Sequence, residues 1–406
     1  MKDKIIEKLI IQEKKRQKKV INLIASENFV SSEVLKALAS PFINKYAEGY
    51  PKHRYYGGTQ IADRMEILVQ KRALKLFHLS PQKWGVNVQP YSGSPANLAI
   101  YFALVPFGEK IMGMSLEMGG HLSHIQKMSI TGNIWKQVAY GVDPKTEMLN
   151  YEEIRKIAKK EKPKLLIAGF TAYPRIINFK KMRAICDEIN AFLMVDMSHF
   201  AGLVAGGVYP SPFPYAQVVM TTTHKTLRGP RAAMIFARKE PIQKTKGNNQ
   251  PTFYDKINKA VFPGLQGGPH LNTIASLGVA LYEARQKSFK KYAKQVVKNA
   301  QVLASEFKKL GFRVVSSGTD THLLLLDTMS SCGLSGKEAE EILEKNGIIV
   351  NKNILPFDSR KPFDPSGIRL GTPAVTTAGM KEKEMKEIAR RIAHILKQNQ
   401  NYDYKW

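Results

Sequence analysis

Apolar and polar positions fall into distinct blocks along this chain. The runs GVNVQP (85 to 90), KIMGMSL (110 to 116), KLLIAGF (164 to 170), AFLMVD (191 to 196), AQVVMTTT (216 to 223) and AAMIFARK (232 to 239) are short and largely apolar, the pattern of strands buried on both faces. They alternate with stretches such as YEEIRKIAKKEK (151 to 162) and NFKKMRAICDEIN (178 to 190), whose apolar residues recur at helical spacing. This alternation predicts an α/β fold with a mostly parallel central sheet and crossover helices. From about Asn272 a long helical pattern leads to FRVVSSG, HLLLLDT, a helix near Gly336 to Asn346, and IIVNKN. That order predicts a smaller C-terminal α/β domain closed by a helix. At the start, MKDKIIEKLIIQEKKRQKKV pairs Ile5 with Leu9 and Ile6 with Ile10 at helical spacing and reads as a docking arm. The expected division is a helical arm over 1–19, a large domain over 20–271 and a small domain over 272–406.

Chemistry enters where the run VVMTTTHKTLRGP (218 to 230) places Lys225 just beyond a predicted buried strand, with Thr222 in the threonine run before it. Open α/β sheets bind ligands at that end of their strands, and a nearby guanidinium such as Arg231 lowers the pKa of an amine. A neutral lysine amine forms a Schiff base with an aldehyde. AFLMVD ends on Asp196 at the tip of a second strand. Alone, that carboxylate is as readily a cap or a salt-bridge partner. Paired with Lys225, it matches a pyridine aldehyde cofactor, which needs an amine for its aldehyde and an anion for its ring nitrogen. Ser92-Gly93-Ser94 then precedes Pro95 and an apolar helix. Serine at the N-cap with proline at the first helical position leaves backbone N–H groups facing an anion, although any capped helix shares these features. No GxGxxG or GxxxxGK[ST] pattern is present, which argues against a dinucleotide or a nucleoside triphosphate.

These residues resemble the serine hydroxymethyltransferase family in its bacterial type, pyridoxal-phosphate enzymes of the aspartate-aminotransferase-like fold. The motifs are LIASENFVS (23 to 31), NKYAEGYPKHRYYGG (44 to 58), SGSPAN (92 to 97), GGHLSH (119 to 124), VDMSHFAGLVAGG (195 to 207), TTTHKTLRGPR (221 to 231), FPGLQGGPH (262 to 270) and SGIRLGTPAVTT (366 to 377). The resemblance implies reversible conversion of serine and tetrahydrofolate to glycine and 5,10-methylenetetrahydrofolate. It makes Lys225 the lysine that holds pyridoxal 5'-phosphate, and Asp196 the partner of the ring nitrogen. His121 would stack on the ring, His199 and Thr171 would lie near its phenolic oxygen, and Ser92, Gly93 and Ser94 would hold the phosphate. Thr222 and Arg231 belong to the same lysine motif. Arg369 would clamp the substrate carboxylate, a task suited to a guanidinium fork, beside Ser26, Tyr56 and His199. Glu48 would move protons at the serine hydroxyl. Leu116, Gly120 and Leu122 align with the pterin-contacting stretch. Tyr46, Gly267 and Gly268 resemble residues that come from the neighbouring subunit, implying a homodimer with shared sites. The chain departs from the family at SHIQKMSITG (123 to 132), in place of a glycine- and proline-containing loop, and at Ala232-Ala233, in place of a glycine pair. Such changes bear on folate affinity and on any position needing φ > 0.

The 406 residues carry 43% hydrophobic content, ordinary for a globular protein with a sizeable core. No apolar run approaches the roughly 20 residues needed to span a bilayer. Asp3, Glu7 and Glu13 contradict a mitochondrial presequence, so a cytoplasmic location is expected. Cys186 and Cys332 show no metal-ligand spacing, and no metal site is expected. The formal net charge of +28 raises one alternative, a nucleic-acid-binding protein on this fold, but the lysines are scattered among acids along helices. A second alternative, a folate-independent aldolase of β-hydroxy amino acids, rests only on the altered loop at 125–130.

Overall fold

A computed structural model describes residues 1–242 and 250–398, so the last eight positions of the expected C-terminal domain, 399–406, lie outside the described residues. The chain divides into two compact units, Asn28–Lys294 and a second made of Met1–Glu27 with Gln295–Trp406.

The first unit is built on a seven-stranded sheet in the order Trp84–Asn87, Ala233–Arg238, Val218–Thr222, Phe192–Asp196, Leu165–Ala168, Lys110–Met114 and Lys136–Tyr140. Ala233–Arg238 runs antiparallel to both its neighbours and every other pairing is parallel. Leu165–Ala168 and Val218–Thr222 are buried at every position, because helices cover both faces of a parallel sheet. The crossover helix Tyr151–Glu161 starts where the Asn150 side chain accepts from the Glu152 and Glu153 amides; a second, Phe179–Glu188, leads into Phe192–Asp196. The edge strand Lys136–Tyr140 is absent from the sequence reading. Its residues KQVAY alternate in burial, so it lacks the continuous apolar run that marks the central strands.

Helix Leu271–Ala284 packs on Ser32–Leu38 and Gln60–Leu76 and so belongs to this unit. The Ser276 hydroxyl donates to the Val34 carbonyl at 2.8 Å, and Arg72 Nη1 donates to the Gly278 carbonyl at 2.7 Å. The next helix, Lys287–Lys309, carries the chain from one unit into the other.

The second unit holds a four-stranded antiparallel sheet in the order Arg313–Val314, Leu323–Asp327, Gly367–Gly371 and Asn351–Asn353. Ile21–Asn22 pairs in parallel with Ile348–Ile349, which ties the early chain into this unit. Helices Gly336–Lys345 and Glu382–Gln398 turn apolar faces onto a core that includes Leu324, Leu326, Leu343, Ile368, Ile392 and Leu396. The N-terminal helix Lys4–Lys19 is capped by Asp3, and Ile5, Ile6, Leu9 and Ile10 are all exposed. Among the described residues, no helix is long and apolar enough to cross a membrane.

Leu326 is fully buried in a central strand, so Leu326→Ala removes apolar contacts from a close-packed core. The expected loss is about 2–5 kcal/mol, read from urea unfolding; a loss near zero would contradict this packing.

Candidate active site

Parallel pairing sets Asp196 opposite Met220, so two neighbouring strands deliver Asp196 and the loop carrying Lys225 at the same sheet end. Both side chains are buried. The lysine loop is held by backbone contacts. The Lys225 carbonyl accepts from Asn28 Nδ2 at 2.9 Å, the Thr226 hydroxyl donates to the His199 carbonyl at 2.9 Å, and the Gly202 amide donates to the Thr226 hydroxyl at 3.0 Å. His199 is therefore part of the same shell and is itself buried.

Asp196 is the most heavily partnered acid of the site. Asn97 Nδ2 lies 3.2 Å and His124 Nε2 3.0 Å from Oδ2, and the Ser198 amide donates to Oδ1 at 3.0 Å. Burial opposes its ionisation. The His124 contact, the Ser198 amide and the Lys225 charge outweigh that cost and hold the carboxyl well below its usual range. Sequence reasoning missed His124, Asn97 and Ser198. His124 and Asn97 lie inside the quoted motifs GGHLSH and SGSPAN, and Ser198 inside VDMSHFAGLVAGG, but only the fold turns them toward one carboxylate.

His121 caps the short helix Leu122–Ile125: its Nδ1 accepts from the Ser123 amide at 3.1 Å and lies 2.7 Å from the Ser123 hydroxyl. Asn97 Nδ2 also donates to that hydroxyl at 2.9 Å, linking the His121 turn to Asp196.

Ser92 is the N-cap of helix Gly93–Leu104, but its side chain makes no capping bond. Pro95 is the third helical residue rather than the first, because the helix already begins at Gly93. The free N–H groups at this end therefore belong to Gly93 and Ser94. A Cβ on Gly93 would come within 2.7 Å of Thr222 Cγ2, so only glycine lets this helix end approach the lysine strand so closely. Thr222 Oγ1 and Asn97 Oδ1 are buried and without a hydrogen-bond partner among the described residues. An unengaged serine, free helix amides, orphaned polar atoms and a stabilised anion fit the phosphate and pyridine of pyridoxal phosphate.

Glu48, Tyr46, Tyr56, Gly267 and Gly268 form a second cluster. A Cβ on Gly267 would lie 3.1 Å from Glu48 Oε1, and one on Gly268 would lie 3.0 Å from the Tyr46 ring. The Tyr46 and Tyr56 rings meet edge to face at 5.1 Å, and both are exposed.

The Thr171 amide donates to the Gly119 carbonyl at 2.8 Å, which sets this residue beside the GGHLSH turn. Leu116 lies on a half-buried turn, Gly120 is buried and Leu122 is 55% exposed. The altered loop forms two short helices, Leu122–Ile125 and Ile130–Ile134. Neither Ala232 nor Ala233 has a positive φ, so alanine fits there without strain.

In the second unit, Arg369 is buried in strand Gly367–Gly371 and its Nε donates to Asn351 Oδ1 at 3.1 Å. Burial pushes the guanidinium down to about 10, leaving it charged at neutral pH. Ser26 follows Leu23, whose carbonyl accepts from the Gly371 amide at 2.7 Å.

Arg231 is exposed. Its charge acts on His224: burial, then Lys225 and Arg231, push that imidazole from 6.5 down to about 3. His224 is neutral in the fold, whereas an unfolded histidine takes up a proton below about 6.5. Stability is therefore expected to fall as pH drops from about 6.5 through about 3. His224→Asn should flatten part of that slope in urea titrations; an unchanged slope would contradict this assignment.

The family model for serine hydroxymethyltransferase matches residues 1–392. It spans both units and every site residue named above. Members are pyridoxal-phosphate enzymes that use tetrahydrofolate as co-substrate, and a sheet that brings an amine and a stabilised carboxylate to one end suits that chemistry. This chain belongs to the serine hydroxymethyltransferase family.

Proposed function

We propose that Lys225 and Asp196 are the two poles of the cofactor site and that Glu48 works at the same reaction from a neighbouring subunit. The observation that carries this reading is the Asp196 carboxylate, buried and held ionised on the strand beside the lysine loop. When bound, pyridoxal phosphate supplies an aldehyde for an amine and a ring cation that draws electrons from the substrate Cα.

Lys225 Nζ is the amine that would hold that aldehyde, with its loop fixed by Asn28, His199 and Gly202. Asp196 would hold the proton on the ring nitrogen, His121 would stack on the ring, and His199 and Thr171 would lie near its phenolic oxygen. Ser92, Gly93, Ser94 and Thr222 would hold the phosphate. Arg369 fixes the substrate carboxylate through its two-pronged donor geometry, with Ser26 beside it. Glu48 holds or moves a proton at the serine hydroxyl, with Tyr56 nearby. Leu116, Gly120 and Leu122 present the surface for the pterin.

The homodimer rests on the second cluster. Tyr46, Tyr55 and Tyr56 are 56%, 82% and 41% exposed around Glu48, an aromatic patch that a second copy of this chain would cover. Glu48 joins Tyr46, Gly267 and Gly268 as a residue given to the partner, because all four sit together.

Lys225→Ala is expected to bind pyridoxal phosphate without the absorbance of a lysine adduct. Serine cleavage should fall on the order of 10²–10⁴-fold, and wild-type turnover would reject the lysine assignment. Shared sites have their own signature. Refolding Lys225→Ala together with Glu48→Gln should recover activity that neither variant has alone, since mixed dimers contain one site with both groups intact. No recovery would place Glu48 and Lys225 of one chain in one site.

A further inference from the structure

We propose that Arg54 is a positioning residue for the one-carbon transfer, fixing the Glu48 carboxylate by gripping the backbone on both sides of it. This rests on the assignment of Glu48 given above.

Gly49–Tyr50 pairs antiparallel with His53–Arg54, and Gly49 lies opposite Arg54. The return between the strands carries Lys52 in the left-handed region at φ 70, and Gly49, on the strand before it, has φ 95, where a Cβ would strike the His53 carbonyl at 2.2 Å. Arg54 then folds back along the strand it faces. Its Nη1 donates to the Ala47 carbonyl at 2.9 Å and to the Gly49 carbonyl at 2.7 Å. The carbonyl between them, that of Glu48, accepts from the Tyr55 amide at 3.0 Å. Three successive carbonyls are thus held, and the remaining freedom of Glu48 lies in its side chain.

The guanidinium is anchored from behind. Its Nη2 donates to Glu66 Oε2 at 2.6 Å and its Nε to Asp63 Oδ1 at 2.9 Å, both on helix Gln60–Leu76. The Arg54 side chain is 2% exposed and that of Glu66 is fully buried. Gln89 Nε2 reinforces the clamp, donating to the Gly49 carbonyl and to Glu66 Oε1 at 3.0 Å each. The Gln89 carbonyl in turn accepts from Gln266 Nε2 at 2.9 Å, which ties the segment before Gly267 to the same frame. The two sides of the Glu48 cluster therefore share one buried anchor.

Stability alone does not account for this arrangement. A buried ion pair roughly breaks even against apolar residues of the same volume, and burial pushes the Glu66 carboxyl up despite Arg54 and Gln89. What the pair provides is geometry. Only a planar fork spans two carbonyls and two carboxylates at once; a lysine ammonium is a point charge and does not. A shift of about 1 Å at a proton-moving group costs on the order of 100-fold in rate.

The test is a double-mutant cycle on the purified holoenzyme. Arg54→Lys is expected to lower kcat for serine and tetrahydrofolate about 10–100-fold, with KM for serine within about 3-fold of wild type and cofactor content by absorbance unchanged. On a Glu48→Gln background the same change should cost less than about 2-fold, because the carboxylate it positions is gone. Gln89→Met, a near-isosteric change, should show the same non-additivity on a smaller scale and serves if Arg54→Lys folds poorly. Full additivity in both cycles, with Glu48→Gln itself impaired, would overturn the role of Arg54 and leave that of Glu48 standing. A Glu48→Gln variant with wild-type turnover would remove Glu48 from the mechanism and Arg54 with it.

Discussion

A buried carboxylate stays ionised only where its surroundings repay the loss of water, and the site depends on that condition at Asp196. Three contacts and the neighbouring lysine charge provide the repayment. Each comes from a different piece of chain: the apolar helix after Ser92, the turn of GGHLSH, the residues after the strand, and the loop of the next strand. The stabilised anion at Asp196 is therefore a property of the assembled sheet end. Its electrostatic role and its role in organising these segments are inseparable.

The same economy governs the polar groups around it. The Ser92 side chain leaves its helix uncapped, and Thr222 and Asn97 leave buried oxygens without partners among the described residues. At Asn150, Ser335 and Thr252, by contrast, the side chain caps its helix. Unsatisfied polarity at this sheet end costs stability and leaves donors and acceptors for a ligand. Around Glu48 the strategy is reversed: the carbonyls of Ala47, Glu48 and Gly49 are all engaged, and precision replaces openness.

Much of the fold was legible along the chain. Continuous runs such as LLIA and FLMVD mark central strands because burial on both faces demands apolar residues at each position. KQVAY escaped because an edge strand alternates and resembles a loop at this length. The general preference for proline at the first helical position points to Pro95 as the start of its helix, whereas Gly93 starts it and lets the helix end approach Thr222 closely. Helix Leu271–Ala284, placed by its pattern in the smaller domain, packs with Ser32–Leu38 and Gln60–Leu76, since amphipathic spacing specifies that a face is buried and leaves open against what.

By itself the sequence determined the α/β class, the amine and carboxylate at two strand ends, and the motifs of the family, because these depend on local periodicity and on residues close in the chain. Tertiary structure alone decided which side chains surround Asp196, that Glu48 sits with Tyr46 and Gly267, and that Arg54 spans its turn. Several of those relations join residues from 12 to more than 200 positions apart, and their strength depends on burial and on angles between hydrogen-bonding groups, quantities that come into being only when the sheet and its helices close around them.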